Sequence, residues 1–288
     1  MNYILNNESS GGNRQNEDFS SSVKKIISDK FGKCKFVSLI DLDYDFFYSH
    51  LLPSDNVILV GGDGTINRFI NSVNIDSLPC KFFLYPAGNG NDFYRDIVGR
   101  GIDKGEVELI PMNEYFTNLP KVIVNGKTYR FINGVGFGID GRTCAIAEDQ
   151  KAAGKVKINY AMITFQQIVR KIKKPDATIL IDGKEAFFDR VYLASVMKGK
   201  YYGGGVKIAP NQDRRYETMT LIVASHKRRI AALLDFPKIF SGKHIKKNNK
   251  GLCKAFTVKS VTVTFTKPSD LEIDGEVIRN VTSYSIER

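Results

Sequence analysis

What this 288-residue sequence lacks excludes several classes of protein. No apolar run approaches the roughly 18 residues that a bilayer-crossing helix needs, so we expect no membrane span. The N-terminus carries neither a basic segment nor a long apolar one, so we expect no secretory signal. The four cysteines (Cys34, Cys80, Cys144 and Cys253) lie far apart and form no Cys-x-x-Cys pair. We therefore expect free thiols in a reducing cytoplasm.

Acidic residues are in short supply relative to basic ones. The chain has 42 Lys and Arg against 31 Asp and Glu, a formal net charge of +11, which favours nucleotides, nucleic acid or an acidic lipid surface as partners. Basic residues cluster in KAAGKVK, RKIKKP, HKRR and KHIKKNNK. Together such clusters can form a membrane-facing patch, worth roughly 1 kcal/mol per basic residue near an anionic surface. No motif interleaves basic and aromatic residues, so we expect no nucleic-acid partner.

The pattern of apolar residues divides the chain into two parts. In residues 1–118, apolar strands such as NYILN, NVILV and CKFFLYP alternate with helical spacing, which predicts an α/β domain with a parallel, Rossmann-like sheet covered on both faces. Residues 119–288 contain short β-rich runs joined by Asn-Gly and Asp-Gly turns. This pattern predicts an antiparallel β-sandwich, interrupted by the helical segments INYAMITFQQIVRKI and RRIAALLDFPKIF. The fold class is therefore α/β plus β.

The stretch VILVGGDGTINRFI places a carboxylate inside a glycine turn between a strand and a helix. We expect Gly61, Gly62 and Gly64 to adopt positive φ and to let a ligand approach the backbone. Thr65 suits the N-cap of the following helix, whose N-terminus attracts anions such as phosphate. Asp63 would repel phosphate unless it holds Mg²⁺ or accepts a proton. The alternative is a tight turn in which Asp63 only caps a helix.

A second polar loop, LYPAGNGNDFYRDI, follows the next strand. Gly88 shapes this turn, and Asn91 or Asp92 can cap the helix after it. Ligands of open α/β sheets bind at the carboxyl ends of the strands, so two glycine loops after adjacent parallel strands favour phosphate binding. The polar turn NNESSGG, after the first strand, lies at the same predicted edge.

The last hairpin of the chain carries two carboxylates, Asp274 and Glu276, in EIDGEV. The pair suits metal coordination or the deprotonation of an alcohol. A similar turn in LIDGKE, at Asp182, is interpreted as a hairpin turn and nothing more.

These motifs, in this order, resemble the diacylglycerol kinase catalytic-domain family, the lipid kinases that include sphingosine and ceramide kinases. The resemblance covers ILNNESSGG, GGDGTIN, YPAGNGNDFYR, FINGVGFGID, KYYGGGVKIAP and the final DGE. It implies two lobes with ATP between them. It also implies Mg²⁺-dependent transfer of the γ-phosphoryl of ATP to a lipid hydroxyl, most readily that of diacylglycerol, to give phosphatidic acid. The implied partners are ATP and a lipid at an anionic inner-membrane surface, with a homodimer left open.

The resemblance also assigns roles to individual residues. Asp274 would be the general base with Glu276 beside it, while Asp63 is a rival candidate for the base. Asp63 and Asp92 would belong to a Mg²⁺–water network. The residues expected to contact ATP are Asn7, Ser10, Gly11, Gly61, Gly62, Asp63, Gly64, Thr65, Asn67, Gly88, Asn89 and Asn91.

The sequence departs from the family pattern at several positions. Glu8 replaces a proline, Asn89 a threonine, and Lys198 a frequent asparagine. The segment APNQDRRYETM lacks the Asp-Asp-Gly that helps to form a structural Mg²⁺ site in many relatives, and Asp213 is the candidate substitute. These departures leave open a catalytically weak, nucleotide-responsive membrane-binding protein. An NAD-kinase-like enzyme ranks lower, because such enzymes lack the final DGE and the GGGVKIAP segment.

Overall fold

The structure is a computed structural model that describes residues 1–6, 17–39, 42–102, 106–155, 157–170, 174–225, 229–246, 249 and 251–287. The chain divides into two compact units, Met1–Leu119 and Pro120–Arg288. The predicted α/β-plus-β fold class is confirmed, because the first unit combines helices with a mostly parallel sheet and the second is dominated by antiparallel strands.

The first unit is built around one five-stranded sheet. Its strands are β1 (Asn2–Asn6), β2 (Cys34–Ser38), β3 (Asn56–Gly61), β4 (Lys81–Pro86) and β5 (Ile110–Pro111). The order is β2-β1-β3-β4-β5. The first four strands are parallel, as predicted, but the short β5 runs antiparallel to β4. The expectation of a wholly parallel sheet is therefore wrong at this edge.

Helices connect the strands of the first unit. They are α1 (Glu17–Phe31), α2 (Tyr44–Ser49), α3 (Asp63–Ser72), α4 (Asp92–Val98) and α5 (Asn113–Phe116), with a 3₁₀ turn at Ile75–Ser77. Helix α1 ends at Gly32, whose φ of +76° gives the left-handed stop that glycine favours. Helix α2 was not predicted. Its N-cap is Asp43, whose side chain accepts a hydrogen bond from the Phe46 N–H.

The core of the first unit lies on both faces of its sheet. Phe69, Phe82 and Phe116 are fully buried, with ring centroids 5.4 to 6.3 Å apart. Ile4 and Ile58 belong to a separate buried cluster with α1 residues. Because the sheet is buried on both faces, the sequence of β3 is a continuous apolar run.

The second unit contains one extensive antiparallel sheet. Its strands are β6 (Lys121–Val124), β7 (Lys127–Arg130), β8 (Gly134–Phe137), β9 (Ala177–Ile181), β10 (Lys184–Phe188), β11 (Val191–Met197), β12 (Met219–Ser225), β13 (Cys253–Val258), β14 (Val261–Ile273) and β15 (Glu276–Glu287). Strand β14 pairs with β9 near its start and with β8 near its end, so it connects two parts of this sheet. The last strand, β15, pairs with β14 and β6 and stays in this unit.

The three predicted Asn-Gly and Asp-Gly hairpins are confirmed. Asn125, Asp182 and Asp274 have φ of 49°, 45° and 48°, and each is followed by a glycine with positive φ. Two consecutive positive φ values define the turn that matches the right-handed twist of paired strands. Each dipeptide therefore fixes the register of its hairpin.

Helices pack on the sheet of the second unit. They are α6 (Ile139–Ala152), α7 (Tyr160–Val169) and α8 (Arg229–Asp235), followed by a 3₁₀ segment at Phe236–Ser241. Helices α7 and α8 were predicted, but α6 was not. Among the described residues, no helix combines the length and apolar character that spanning a bilayer requires.

Candidate functional site

The two glycine loops of the first unit touch each other through their backbones. Gly61 pairs with Pro86 in the β3–β4 ladder, and the Ala87 N–H donates to the Gly61 carbonyl at 2.9 Å. A Cβ placed on Gly62 would lie 2.7 Å from the Gly88 Cα. The loops therefore share one edge of the sheet, as predicted. The predicted need for positive φ is wrong, because Gly61, Gly62 and Gly64 do not have positive φ. Glycine is needed at 62 and 88 because the two backbones approach each other closely.

Asp63 links these two loops. Its Oδ2 accepts a hydrogen bond from the Asp92 N–H and its Oδ1 one from the Phe93 N–H, both at 2.9 Å. The carboxylate thus satisfies two of the free N–H groups at the start of α4. Asn91 holds the N-cap position in a left-handed conformation, and its side chain bonds back to the Gly88 backbone. Asp63 thus caps α4, and its proposed metal and base roles remain predictions.

Helix α3 begins earlier than the sequence pattern suggests. Its N-cap is Gly62 and its first residue is Asp63, so the prediction of Thr65 as N-cap is wrong. Thr65 is buried within the first turn, and a Cβ on Gly61 would lie 2.2 Å from the Thr65 Oγ1. Gly64 is exposed, which leaves the start of α3 accessible to an anion.

The other predicted nucleotide contacts differ in exposure. Asn67 and Asp92 are buried, whereas Asn89 is exposed. Asn7, Ser10 and Gly11 lie outside the described residues. The structure therefore brings the loops after β3 and β4 together, and the predicted contacts after β1 stay untested.

In the second unit, Asp274 holds a neighbouring chain segment through its carboxylate. Oδ2 accepts a hydrogen bond from the Ile132 N–H at 2.7 Å, and Oδ1 accepts from the N–H groups of Asn133 and Gly134 at 2.8 and 2.9 Å. The Asp274 N–H also donates to the Gly134 carbonyl. The last hairpin is thereby fixed to the segment that enters β8, and the carboxylate has a defined orientation.

A buried polar cluster surrounds this turn. Arg214 donates to the Ile132 carbonyl and to the Asn133 Oδ1, both at 3.1 Å. The buried Glu272 accepts from the Gly275 N–H at 2.7 Å. A Cβ on Gly136 would lie 2.6 Å from the Glu272 Oε1 and 2.7 Å from the Asp140 Cβ, so a larger residue would displace these side chains. The sequence analysis missed Glu272; the available signal was a charged residue inside an otherwise apolar strand end.

Glu276, the predicted companion of Asp274, lies in a different environment. It is the first residue of β15 and is exposed. Its side chain makes no hydrogen bond or ion pair with the described residues. The buried carboxylate next to Asp274 in the structure is Glu272, while the role assigned to Glu276 remains a prediction.

Asp213 forms an ion pair with Arg215, two residues further along the chain. Arg215 donates from Nη2 to Oδ2 at 2.5 Å and from Nε to Oδ1 at 3.0 Å. This pairing lowers the pKa of Asp213 to about 2. Lys198 donates to the carbonyl of Tyr216, three residues after Asp213, at 2.6 Å. No group of three metal-ligating side chains occurs among the described residues, and the Arg215 pairing does not fit the structural Mg²⁺ site considered for Asp213.

A second buried carboxylate that the sequence analysis missed is Asp140, in the first turn of α6. Its Oδ2 accepts from the Ser195 hydroxyl at 2.5 Å and its Oδ1 from the Tyr202 hydroxyl at 2.8 Å. Burial raises the pKa of Asp140 to about 6, although both hydroxyl donors act in the opposite direction. It therefore differs from Asp63 and Asp274, whose donors are backbone N–H groups.

The helices of the second unit also expose an apolar patch. Met162, Phe165 and Val169 of α7 are each more than 40% exposed, and Ile230 and Leu234 of α8 are 68% and 66% exposed. The two helices pack against each other. Clustered exposed side chains of this size are typical of a surface that meets a partner or a membrane.

Comparison with known families agrees with this architecture. The family described as diacylglycerol kinase catalytic domain matches residues 2–115. The YegS C-terminal NAD kinase beta sandwich-like domain matches residues 133–285, more than half of the chain. The chain belongs to the family that this C-terminal β-sandwich-like domain defines, and its first part carries the diacylglycerol kinase catalytic domain. The resemblance inferred from the ordered motifs is therefore confirmed.

Individual relatives of the chain are distant in sequence. The chain is 24% identical over 215 residues to a diacylglycerol kinase of Mycobacterium tuberculosis, covering 71% of this chain and 66% of the relative. It is 26% identical over 235 residues to a diacylglycerol kinase of Bacillus subtilis, covering 77% and 71%. The match thus spans just under two thirds of the mycobacterial relative's length.

Solved structures show the same fold. The crystal structure of a diacylglycerol kinase from Bacillus anthracis superposes with a TM-score of 0.65 at 18% identity, covering 100% of this chain and 93% of that one. Identity this low supports the fold alone.

Proposed function

We propose that this protein is a lipid kinase that transfers the γ-phosphoryl group of ATP to a lipid hydroxyl, with diacylglycerol as the first candidate and phosphatidic acid as the product. The observation that carries the proposal is the pair of glycine loops, which touch at Gly62 and Gly88 and are joined by Asp63. Family membership supports a kinase, and the names of the relatives support a lipid as the acceptor.

The loops of the first unit supply features that suit a triphosphate. Gly64 is exposed at the start of the ten-residue helix α3, where backbone N–H groups and the helix dipole favour phosphate. Mg²⁺ in such sites usually keeps several waters and binds one or two carboxylates together with the substrate phosphates. Asp63 and Asp92 supply carboxylates of this kind on the two touching loops, where the Asp92 N–H donates to Asp63. The metal would supply neutralisation of phosphate charge.

Asp274 is our candidate proton acceptor. The lipid hydroxyl oxygen forms a bond to the γ-phosphorus while the bond to the β–γ bridging oxygen breaks, and ADP leaves. The hydroxyl proton passes to the Asp274 carboxylate. Three backbone N–H donors fix the orientation of this side chain, and a fixed acceptor saves the entropy of positioning it during the reaction.

The surface of the second unit supports an acceptor that resides in a membrane. A lipid with two acyl chains does not leave the bilayer readily, so the enzyme must reach it there. The exposed apolar patch on α7 and α8 and the net charge of +11 suit an anionic bilayer. We propose that the protein works in the cytoplasm, peripheral at the inner membrane surface.

A lipid survey tests this function. The full chain is incubated with labelled ATP, Mg²⁺ and vesicles that contain diacylglycerol, ceramide, sphingosine or monoacylglycerol, and products are identified by mass spectrometry. We expect labelled phosphatidic acid, and much less of it with Asp274→Asn. A parallel reaction with NAD tests the NAD-kinase alternative. The proposal is wrong if no lipid in the panel is phosphorylated.

A second candidate is a nucleotide-responsive membrane-binding protein with little turnover. The pairing of Asp213 with Arg215 favours it, because this carboxylate is then not available to a metal. ATP binding and vesicle binding without any labelled lipid would support this candidate, whereas robust turnover would exclude it.

A further inference from the structure

A pocket of about 320 Å³ lies in the second unit, at the start of α6. Its walls come from α6, the beginning of β11, the middle of β14 and β15. Strand β14 leads from Asp270, at the pocket, to Asp274, so four residues of extended chain, roughly 13 Å, separate the pocket from that turn. The pocket is therefore separate from the acidic turn considered above.

The lining of this pocket is strongly basic. It contains four cationic side chains, Arg142, Lys174, Lys267 and Arg279, against one carboxylate, Asp270. Such a concentration of one sign of charge raises the local concentration of anions.

Two of these cations, Arg279 and Lys174, contact other side chains of the protein. Arg279 pairs with Asp149 at 2.8 Å and also bonds to the Ala145 carbonyl at 3.2 Å. Lys174 lies 4.7 Å from the centre of the Tyr192 ring. Burial, and to a smaller extent the nearby Arg190, lower the pKa of Lys174.

The other two cations, Arg142 and Lys267, are different. Both side chains are exposed, and neither forms a hydrogen bond or an ion pair with any described residue. Arg142 belongs to α6 and Lys267 to β14, so they approach the pocket from two separate elements. A guanidinium can bind phosphate through two parallel hydrogen bonds.

Neutral donors complete the lining. Ser269 and Asn280, whose side chains can donate hydrogen bonds, also line the pocket. Gly138 and Ile139, the N-cap and first residue of the 14-residue helix α6, also line it. The positive end of the helix dipole adds to the field of the side chains.

From this lining we infer that the pocket binds a phosphate group, held by Arg142 and Lys267 with Ser269 and Asn280 as neutral donors. The volume suits a small ligand or a lipid headgroup. A free phosphomonoester and the headgroup of an anionic phospholipid offer the same chemistry, and the experiment must separate these sources. This binding does not depend on the proposed kinase activity.

Direct binding measurements test the inference. The full chain, the double variant R142Q/K267Q and the control double variant K127Q/K184Q are compared. Lys127 and Lys184 are exposed on the β6–β7 and β9–β10 hairpins, so the control removes the same net charge elsewhere. The probes are inorganic phosphate, glycerol 3-phosphate, and phosphatidylcholine vesicles with or without phosphatidic acid. Thermal shift at constant ionic strength and vesicle sedimentation report binding without any turnover.

We expect the natural chain and the control to bind, and R142Q/K267Q to bind about tenfold more weakly, the loss of one charge-assisted contact or more. Binding of the soluble phosphates identifies a free ligand, and binding only to vesicles with phosphatidic acid identifies a headgroup. Equal affinity in both double variants, or no binding by the natural chain to any probe, overturns the inference.

Discussion

Two hairpins of the second unit turn on the same dipeptide, Asp182-Gly183 and Asp274-Gly275. Their backbones are alike, with φ of 45° and 82° in the first and 48° and 96° in the second. Both aspartates also accept hydrogen bonds from the backbone N–H groups of a distant segment. Asp182 takes two such bonds on one oxygen, both at 2.8 Å, and Asp274 takes three, spread over both oxygens.

The difference between the hairpins lies in what surrounds them. Asp182 is exposed, and its donors belong to the β13–β14 turn, at Lys259 and Ser260. Asp274 is half-buried beside the buried Arg214 and Glu272. The dipeptide therefore specifies the turn, whereas the tertiary environment distinguishes a structural carboxylate from a candidate base. Loss of activity alone does not separate these roles, since Asp274 performs both in our proposal.

The largest effect is expected for Asp274→Asn. The amide nitrogen would meet either the Ile132 N–H or the two N–H groups on the other oxygen, so at least one donor loses its acceptor at a cost of about 1–3 kcal/mol each. Loss of a general base also lowers kcat by about 10²-fold or more. Urea unfolding and turnover per folded molecule measure the two losses separately. Unchanged turnover per folded molecule would contradict the assignment of the base.

Asp140 extends the comparison of the two hairpin aspartates, because its donors are hydroxyl groups, which can also accept hydrogen bonds. Its folded pKa of about 6 exceeds the ordinary value of 3.8, so its stabilising contribution is complete below pH 4 and is lost as the pH rises through 6. The difference corresponds to about 3 kcal/mol. We expect Asp140→Asn to remove this decline.

Unfolding free energies measured at pH 4, 5, 6 and 7 test this expectation, with the exposed Asp29→Asn as the control. Ser195 and Tyr202 can accept from the new amide, so the variant should fold. Parallel stability curves for Asp140→Asn and the natural chain would show that the burial of this charge has no influence on folding.

A smaller effect is expected for Asp182→Asn, the matched control for Asp274. Both of its backbone bonds end on Oδ1, so an asparagine oxygen can accept both without loss. We expect a change in unfolding free energy of about 0.5 kcal/mol or less, typical of a surface substitution, and unchanged turnover. If turnover fell as far as in Asp274→Asn, the contrast between the hairpins would fail.

The smallest effect on stability is expected for Glu276→Gln, which is exposed and makes no hydrogen bond or ion pair with the described residues. The unfolding free energy should stay within about 0.5 kcal/mol of the natural value. Turnover decides its role: a reduced kcat with unchanged stability supports a direct part in the reaction, and an unchanged kcat removes Glu276 from the catalytic set.

Much of the fold follows from local patterns. Helical and strand periodicities placed α1, α3, α7 and most strands, and Asn-Gly or Asp-Gly predicted three hairpins whose φ values agree. The missed helix α6 buries a face made partly of small and polar residues, including Gly141, Thr143 and Ala147. Such a face has no apolar stripe, so hydrophobic periodicity does not reveal it.

The candidate site was only partly predictable for a related reason. The glycine loops stand out in the sequence, but the N–H groups capped by Asp63 are 29 and 30 positions away. The buried carboxylate Asp140 likewise depends on donors from other segments, Ser195 and Tyr202. Contacts at such separations are set by packing, which a single sequence does not display.

The touching backbones at Gly62 and Gly88 limit how this site can change. A methyl group on either glycine would press on the other at 2.5 to 2.7 Å, so neither position tolerates substitution on its own. Variants of the two loops should therefore be non-additive in double-mutant cycles. Any redesign of this part of the first unit would have to change both loops together.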